Sequence, residues 1–395
     1  MTELRTAVTP DDVFTLAAEH TGLSEIDSDS WRSGLGILLD DIHGSTGFSA
    51  GGRERVINDC VRALARRLRV HGYVSEHPEV LDEKIERPLV VLGMPRTGTT
   101  VISCLLDQDP ARRSLLHWEC KDPVPPATTA TLRSDPRCVK LLAEQQRTLE
   151  HIKAANMALP HWEDADGPTE DMFIHDQDFK ALSWDSYLQT SRYAEWLFNE
   201  ADMTSTYEYQ KRYLQVLQSQ APGTWSLKMP SHSVHIEALL AVFPDVRIVW
   251  AHRDPYRATG SLANLWQLPK GMTLQPEAID PIAMGRNAMA QMRAHVERPL
   301  RARDRIGDGR FFHMYYSEMM RDPMGVMRKI YDWAGDDLTP DVEGRMQGWL
   351  ADHPQNRFAL NSYSLDQYGL TVDMLEPIFA EYLSTFDIEL ESTHS

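Results

Sequence analysis

Pro88-Leu89-Val90-Val91-Leu92-Gly93-Met94-Pro95-Arg96-Thr97-Gly98-Thr99-Thr100-Val101-Ile102-Ser103-Cys104-Leu105-Leu106 reads as a strand, a tight polar loop and the start of a helix. An apolar run rich in β-branched residues ends at Gly93, as a strand buried on both faces does. Backbone N–H groups at the helix start can hold an anion, and the helix dipole favours negative charge there. The glycines let the backbone come close to such a ligand. The spacing from Gly93 to Gly98 matches the first half of a P-loop, G-x-x-x-x-G-K-[ST]. The lysine position holds Thr99, so the loop is a poor clamp for the β- and γ-phosphates of a nucleoside triphosphate. It suits a smaller anion, with Arg96 as the local cation. A strand-to-helix turn with no ligand has the same pattern, so the rest of the chain has to decide.

Three more strand–helix units follow. Residues 224–228 precede a helix at 233–243, residues 246–251 precede one at 256–265, and residues 310–316 precede one at 324–333. This alternation predicts an α/β fold: a P-loop-like parallel β-sheet with helices on both faces. Ligands of such sheets lie at the carboxyl ends of the strands. The residues to inspect are therefore Arg96 to Thr100, Lys228 to His232, and His252 to Asp254.

Around this frame, residues 1–87 read as an N-terminal helical region and 88–395 as the α/β domain. In the segment Arg53 to Arg69 the apolar residues Val56, Ile57, Cys60, Val61, Leu64 and Leu68 fall at helical spacing, and the arginines between them read as a solvated face. Residues 121–136 are rich in Pro, Thr and Asp and read as a loop. Residues 137–220 form a helical insertion on the acceptor side, dense in rings: Trp162, Phe173, Phe179, Trp184, Tyr187, Tyr193, Trp196 and Phe198. Such density suits a cap over an apolar pocket, and it equally suits ordinary core.

The net charge of −18 argues against nucleic acid as a partner. The 395 residues contain no apolar run near the roughly 18 needed for an integral membrane segment. Met1-Thr2-Glu3-Leu4-Arg5-Thr6 lacks a signal-peptide apolar stretch. Cys60, Cys104, Cys120 and Cys138 form no C-x-x-C pair and predict reduced thiols in a cytoplasmic setting.

A second anion site is written in His252-Arg253-Asp254-Pro255 with Ser261. Pro255 fits the first turn of a helix. Arg253 at the strand end and Ser261 two turns along can grip a phosphate, one as a forked donor and one as a neutral donor. An ion pair between Arg253 and Asp254 is the equal alternative. The H-R-D of protein kinases fails to match, because Thr259 stands where Asn is required. No H-E-x-x-H supports a metal site, and no G-x-S-x-G supports a serine hydrolase.

Taken together, Pro95-Arg96-Thr97-Gly98-Thr99-Thr100 and Arg253 through Ser261 resemble the two binding motifs of sulfotransferases that use 3′-phosphoadenosine 5′-phosphosulfate (PAPS). Tyr315-Tyr316-Ser317-Glu318-Met319 followed by Asp322-Pro323 resembles that family's strand ending in a tyrosine beside the adenine. Leu116-His117-Trp118-Glu119, Pro123-Val124-Pro125-Pro126 and Trp225 through His232 are similar to the bacterial branch. The resemblance covers about residues 88–369. It implies PAPS as cofactor and 3′-phosphoadenosine 5′-phosphate as product. It implies that Pro95, Arg96, Thr97, Gly98, Thr99 and Thr100 hold the 5′-phosphosulfate, that Arg253 and Ser261 hold the 3′-phosphate, and that Tyr316 meets the adenine. His353-Pro354-Gln355-Asn356-Arg357 falls where the family returns a basic segment to the 3′-phosphate. The glycine and histidine usual there are missing, which leaves Arg357 as the candidate.

Sulfuryl transfer by in-line displacement demands positioning and electrostatics more than covalent chemistry. The resemblance assigns Arg96 to the charge developing on the leaving oxygen. Lys228 is similar to the family's second lysine, unless it is spent on a salt bridge. Cytosolic members carry a histidine two residues beyond that lysine, where this chain has Pro230. The general base is therefore open between Glu170, His232 and Glu119. The aromatic insertion and the acidic charge point to a small apolar or aromatic alcohol as acceptor. The N-terminal helices have three open roles: covering the sheet, extending the acceptor pocket, or making a homodimer contact. The rival readings are a kinase with a degenerate P-loop and an inactive nucleotide-binding scaffold.

Overall fold

The computed structural model describes residues 7–154, 162–188, 192–353 and 363–391. Three helices come first: α1 (Pro10–Thr21), α2 (Ser30–Gly44) and α3 (Gly52–Glu76). Then come β1 (Leu89–Gly93), α4 (Thr99–Leu106), β2 (Arg112–Ser114), α5 (His117–Lys121) and α6 (Pro136–Ala154). After α7 (Met172–His175), α8 (Arg192–Asn199) and α9 (Thr204–Gln218) the sheet resumes with β3 (Thr224–Lys228). It continues through α10 (Ile236–Val242), β4 (Arg247–His252), α11 (Pro255–Leu265), α12 (Gln267–Thr273) and α13 (Pro281–Ile306). The last elements are β5 (Phe311–Tyr315), α14 (Tyr316–Arg321), α15 (Pro323–Ala334), α16 (Pro340–Asp352) and α17 (Val372–Phe386).

The five strands run parallel in the order β2-β3-β1-β4-β5. Every residue of β1 and β4 is buried. Their side chains alternate between two apolar clusters, as the two-residue repeat of a strand requires. Val90, Leu92, Ile248 and Trp250 join one cluster, and Leu89, Val91, Val249 and Ala251 join the other. Helices therefore cover both faces, as the alternation of elements predicted. The first cluster continues into Val13, Trp31, Leu35 and Leu64, so α1 to α3 share a core with the sheet.

Two expectations need correction, and one open alternative is decided. The sequence reading provided four strands and passed over β2, whose Arg112-Arg113-Ser114 lacks any apolar pattern. Its charges are paired inside the protein: Arg112 Nη2 with Asp336, and Arg113 Nη2 with Glu119. Arg67 of α3 is not on a solvated face. Its side chain is 1% exposed and binds Asp27 at 2.8 Å together with Asp178. Asp178 also meets Lys180 at 3.2 Å and accepts from Thr206 Oγ1 at 2.6 Å, so this network ties α3 to the insertion. For the aromatic insertion, the ordinary-core alternative holds for most rings: Phe179, Trp184 and Tyr193 are buried in the main cluster, with Phe173, Tyr187 and Trp196 packed on it. Of the eight rings named above, only Trp162 lines the large cavity.

Candidate active site

The loop after β1 is shaped by what presses on it. Gly93 has φ 138°, and a Cβ there would fall 2.5 Å from the Ala251 carbonyl oxygen of the neighbouring strand. Gly98 has φ 85°, and a Cβ there would meet the Tyr316 ring at 3.1 Å. Arg96 itself takes φ 71°, a left-handed conformation uncommon outside glycine. Thr97 is buried, and its hydroxyl donates to the Met94 carbonyl at 2.7 Å, closing the loop. Thr99 and Thr100 begin α4, and Pro95 is half-buried.

The two motifs come together across the sheet. Arg96 Nε donates to Ser261 Oγ at 3.1 Å, and Arg253 Nη1 donates to the Arg96 carbonyl at 2.6 Å. The Arg253 guanidinium lies 3.9 Å from the centre of the Tyr316 ring. Arg96, Thr100, Arg253, Ser261 and Tyr316 all line one cavity of about 1240 Å³. Asp254 is not the partner of Arg253. It caps α11 by accepting from the Tyr256 amide at 2.8 Å and the Arg257 amide at 3.3 Å. Arg253 pairs instead with Glu391, Nη2 to Oε2 at 2.8 Å. Burial and the neighbouring Arg253 pull Arg96 below the usual arginine range. For Arg253, burial acts downward, but Glu391 together with Tyr316 and Tyr363 outweighs it and the group is raised.

Beside this lies a second charged cluster at the end of β3. Lys228 Nζ, 1% exposed, donates to Glu163 Oε1 at 3.0 Å and to Glu170 Oε1 at 3.0 Å. Burial alone would lower this ammonium; the two carboxylates reverse that and hold it above its ordinary value. His232 is fully buried, with Nδ1 bonded to Tyr207 Oη and Nε2 to Asp171 Oδ2, each at 2.8 Å. Glu119 is equally committed, to Arg113 and to the Leu116 amide at 3.1 Å. Arg357 lies outside the described residues.

A model of the sulfotransferase family matches residues 88–340. The chain belongs to the sulfotransferase family. The crystal structure of sulfotransferase STF9 from Mycobacterium avium is 69% identical over 99% of this chain and 100% of its own, with a TM-score of 0.94. Sulfotransferase STF1 from Mycobacterium tuberculosis H37Rv is 29% identical over 95% of this chain and 99% of its own, with a TM-score of 0.83. The omega-hydroxy-beta-dihydromenaquinone-9 sulfotransferase Stf3 of Mycobacterium bovis is 26% identical over 72% of this chain and 70% of its own length.

The sequence reading of this sulfotransferase missed three residues that line the cavity. Arg257 lines the same cavity, midway between Arg253 and Ser261. The signal was available, since Arg257 and Ser261 are four apart on one face of α11 and Arg253 precedes Arg257 by the same interval, just before the helix cap. Tyr363 lines the cavity and sits 5.8 Å from the Arg257 guanidinium, ring centre to carbon, with nothing in the sequence to announce it. Glu163 also lines the cavity and shares Lys228 with Glu170. Its spacing of seven from Glu170 crosses an irregular segment, where no periodicity applies. Among the described residues no cluster of ligating side chains fits a metal ion, and no helix is long and apolar enough to cross a membrane.

Proposed function

We propose that this sulfotransferase takes its sulfuryl group from PAPS and passes it to a hydroxyl of an apolar acceptor. The meeting of Arg96, Arg253 and Ser261 on one cavity carries this reading. A donor with phosphates at both ends needs two anion sites joined by one pocket. The amides at the start of α4 and Arg96 suit its phosphosulfate end. Arg253, Arg257 and Ser261 suit its 3′-phosphate. Tyr316, next to Gly98 and with the Arg253 guanidinium over its ring, lines the cavity where a purine would lie. The residues present therefore fit PAPS better than ATP, whose β- and γ-phosphates want the lysine that Thr99 replaces.

When bound, PAPS supplies an activated sulfuryl group. Arg96 and Lys228 hold positive charge where negative charge gathers on the leaving oxygen, fixed in place before reaction. Glu170 is assigned the proton of the acceptor hydroxyl. It is the more exposed of the two carboxylates on Lys228, 19% against 7% for Glu163. His232 and Glu119 are set aside because their polar atoms are already engaged in buried bonds. Leu116, Leu132, Trp162 and Pro168 line one part of the cavity and support an apolar acceptor. Stf3 is named for an omega-hydroxylated dihydromenaquinone, which is an acceptor of that kind.

Calorimetric titration with 3′-phosphoadenosine 5′-phosphate, beside ATP with Mg²⁺, tests the donor. The bisphosphate should bind, and Arg253→Ala should weaken it at least tenfold, about 1.4 kcal/mol. Binding of ATP with Mg²⁺ and not of the bisphosphate overturns the reading. Release of the bisphosphate from PAPS only when a hydroxylated apolar acceptor is present tests the other half.

A further inference from the structure

The Lys228 ammonium is shared by two carboxylates where one would neutralise it. Glu163 Oε1 and Glu170 Oε1 each accept from Nζ at 3.0 Å. The three groups together carry one negative charge. Their surroundings distinguish the carboxylates. Glu163 also accepts at Oε2 from the Thr169 hydroxyl, and its side chain is 7% exposed. Glu170 Oε2 takes no hydrogen bond from any described residue, and its side chain is 19% exposed. One carboxylate is anchored at both ends, and the other keeps an oxygen for something else.

The geometry points to Glu163 as a positioning residue that keeps Lys228 paired while Glu170 gains and loses a proton. This rests on Glu170 being the base. When Glu170 takes the acceptor's proton, its carboxylate becomes a neutral acid as the acceptor oxygen bonds to sulfur and the leaving oxygen keeps the electron pair of the broken S–O bond. A buried ammonium paired with Glu170 alone would then lose its counter-charge, which is costly. With Glu163 in place the Lys228–Glu163 pair survives, and the cluster passes from one net negative charge to none. Glu163 also draws off part of the Lys228 charge that would otherwise weaken Glu170 as a base.

Other charged groups face the cluster from each side. His117 of α5 lies 3.9 Å from Glu163 Oε2 and is bonded to Thr169 Oγ1 at 3.3 Å. Arg96 of the P-loop and Asp171 beside α7 both feel the charge of Glu170. Cys104 of α4 is pushed up to about 12, chiefly by burial, and stays a neutral thiol. None of these provides Lys228 with a third carboxylate contact within salt-bridge distance among the described residues.

The test is a pH profile of kcat for wild type, Glu163→Gln, Glu163→Asp and Glu170→Gln, with bisphosphate affinity and thermal melting measured alongside. Glu163→Gln should lower kcat at least tenfold, leave bisphosphate affinity within about threefold, and move the acidic limb of kcat to lower pH. The direction follows from removing a negative neighbour, which lets Lys228 stabilise the Glu170 carboxylate more fully. Glu163→Asp keeps the charge and should restore part of kcat and the position of the limb. An acidic limb that stays in place in both Glu163 variants, while Glu170→Gln is inactive, overturns the role of Glu163 alone. Full activity of Glu170→Gln overturns the assignment of the base, and the role of Glu163 with it. A loss of melting temperature in Glu163→Gln that Glu163→Asp fails to correct, with the limb unmoved, shows that Glu163 only holds structure.

Discussion

Arg96 combines a left-handed backbone at φ 71° with a guanidinium bonded to Ser261. A non-glycine residue in that conformation costs on the order of 1 kcal/mol or more, so what its side chain does must outweigh the strain. Arg96→Gly would relieve the backbone and remove the charge; Arg96→Lys would keep the charge and lose the fork. We expect Arg96→Gly to melt no lower than wild type yet to lose at least a hundredfold in kcat, about 2.7 kcal/mol of transition-state stabilisation. Arg96→Lys should fall between the two, since an ammonium cannot hold Ser261 and an oxyanion in the same planar geometry. Single-turnover rates with saturating PAPS, set beside thermal melts, decide this. A glycine variant with near-normal turnover would remove Arg96 from the chemistry. The candidacy of this residue was legible because cation, glycines and helix start all fall within one short segment. Its strain was not, because φ is set by the folded loop, where Tyr316 crowds Gly98 and β4 crowds Gly93, and not by local sequence.

At the scale of elements, the first strand–loop–helix unit could be read because an apolar β-branched run can do little else than fill a sheet centre. β2 could not, because two arginines become strand residues only when Asp336, far along the chain, and Glu119, six residues beyond Arg113, neutralise them. The same limit hid the segment after α17. Its Glu391 donates its amide to Asp254 Oδ2 at 2.8 Å and lays its carboxylate on Arg253. That carboxylate engages the fork assigned to the nucleotide's 3′-phosphate, so nucleotide and Glu391 compete for one guanidinium. Glu391→Gln should therefore tighten bisphosphate binding by a few-fold, within the ~1 kcal/mol that a partly exposed pair can contribute. Titration calorimetry on the full chain reads this directly. Weaker binding would mean instead that Glu391 holds Arg253 in the receptive geometry.

Across the whole molecule, buried histidines link stability to acidity. Burial pulls His175 and His295 each down to about 3, and His235 and His252 well below the ordinary histidine range. These groups sit throughout the fold: His175 on Gln210, His295 on Ser233 behind the P-loop, and His252 between Tyr382 and His313. Folded, they stay neutral; unfolded, each takes a proton near pH 6.5. Their contribution is therefore present above about pH 6.5 and lost as pH falls, at up to ~1.4 kcal/mol per pH unit for each group. Buried carboxylates act the other way. Burial raises Asp176 to about 6 and raises Asp171 and Asp254 as well, so the folded state takes those protons first and gains stability as pH falls. Between about pH 6.5 and 6 the histidines act before Asp176 begins to offset them, and this is where stability should fall most steeply. The melting temperature should hold level above about pH 7 and drop through that window. His295→Gln, which cannot be protonated, should shallow the drop if it folds. A melting temperature unchanged from about pH 7.5 to 5.5 would mean that the unfolded chain does not take up more protons than the native one.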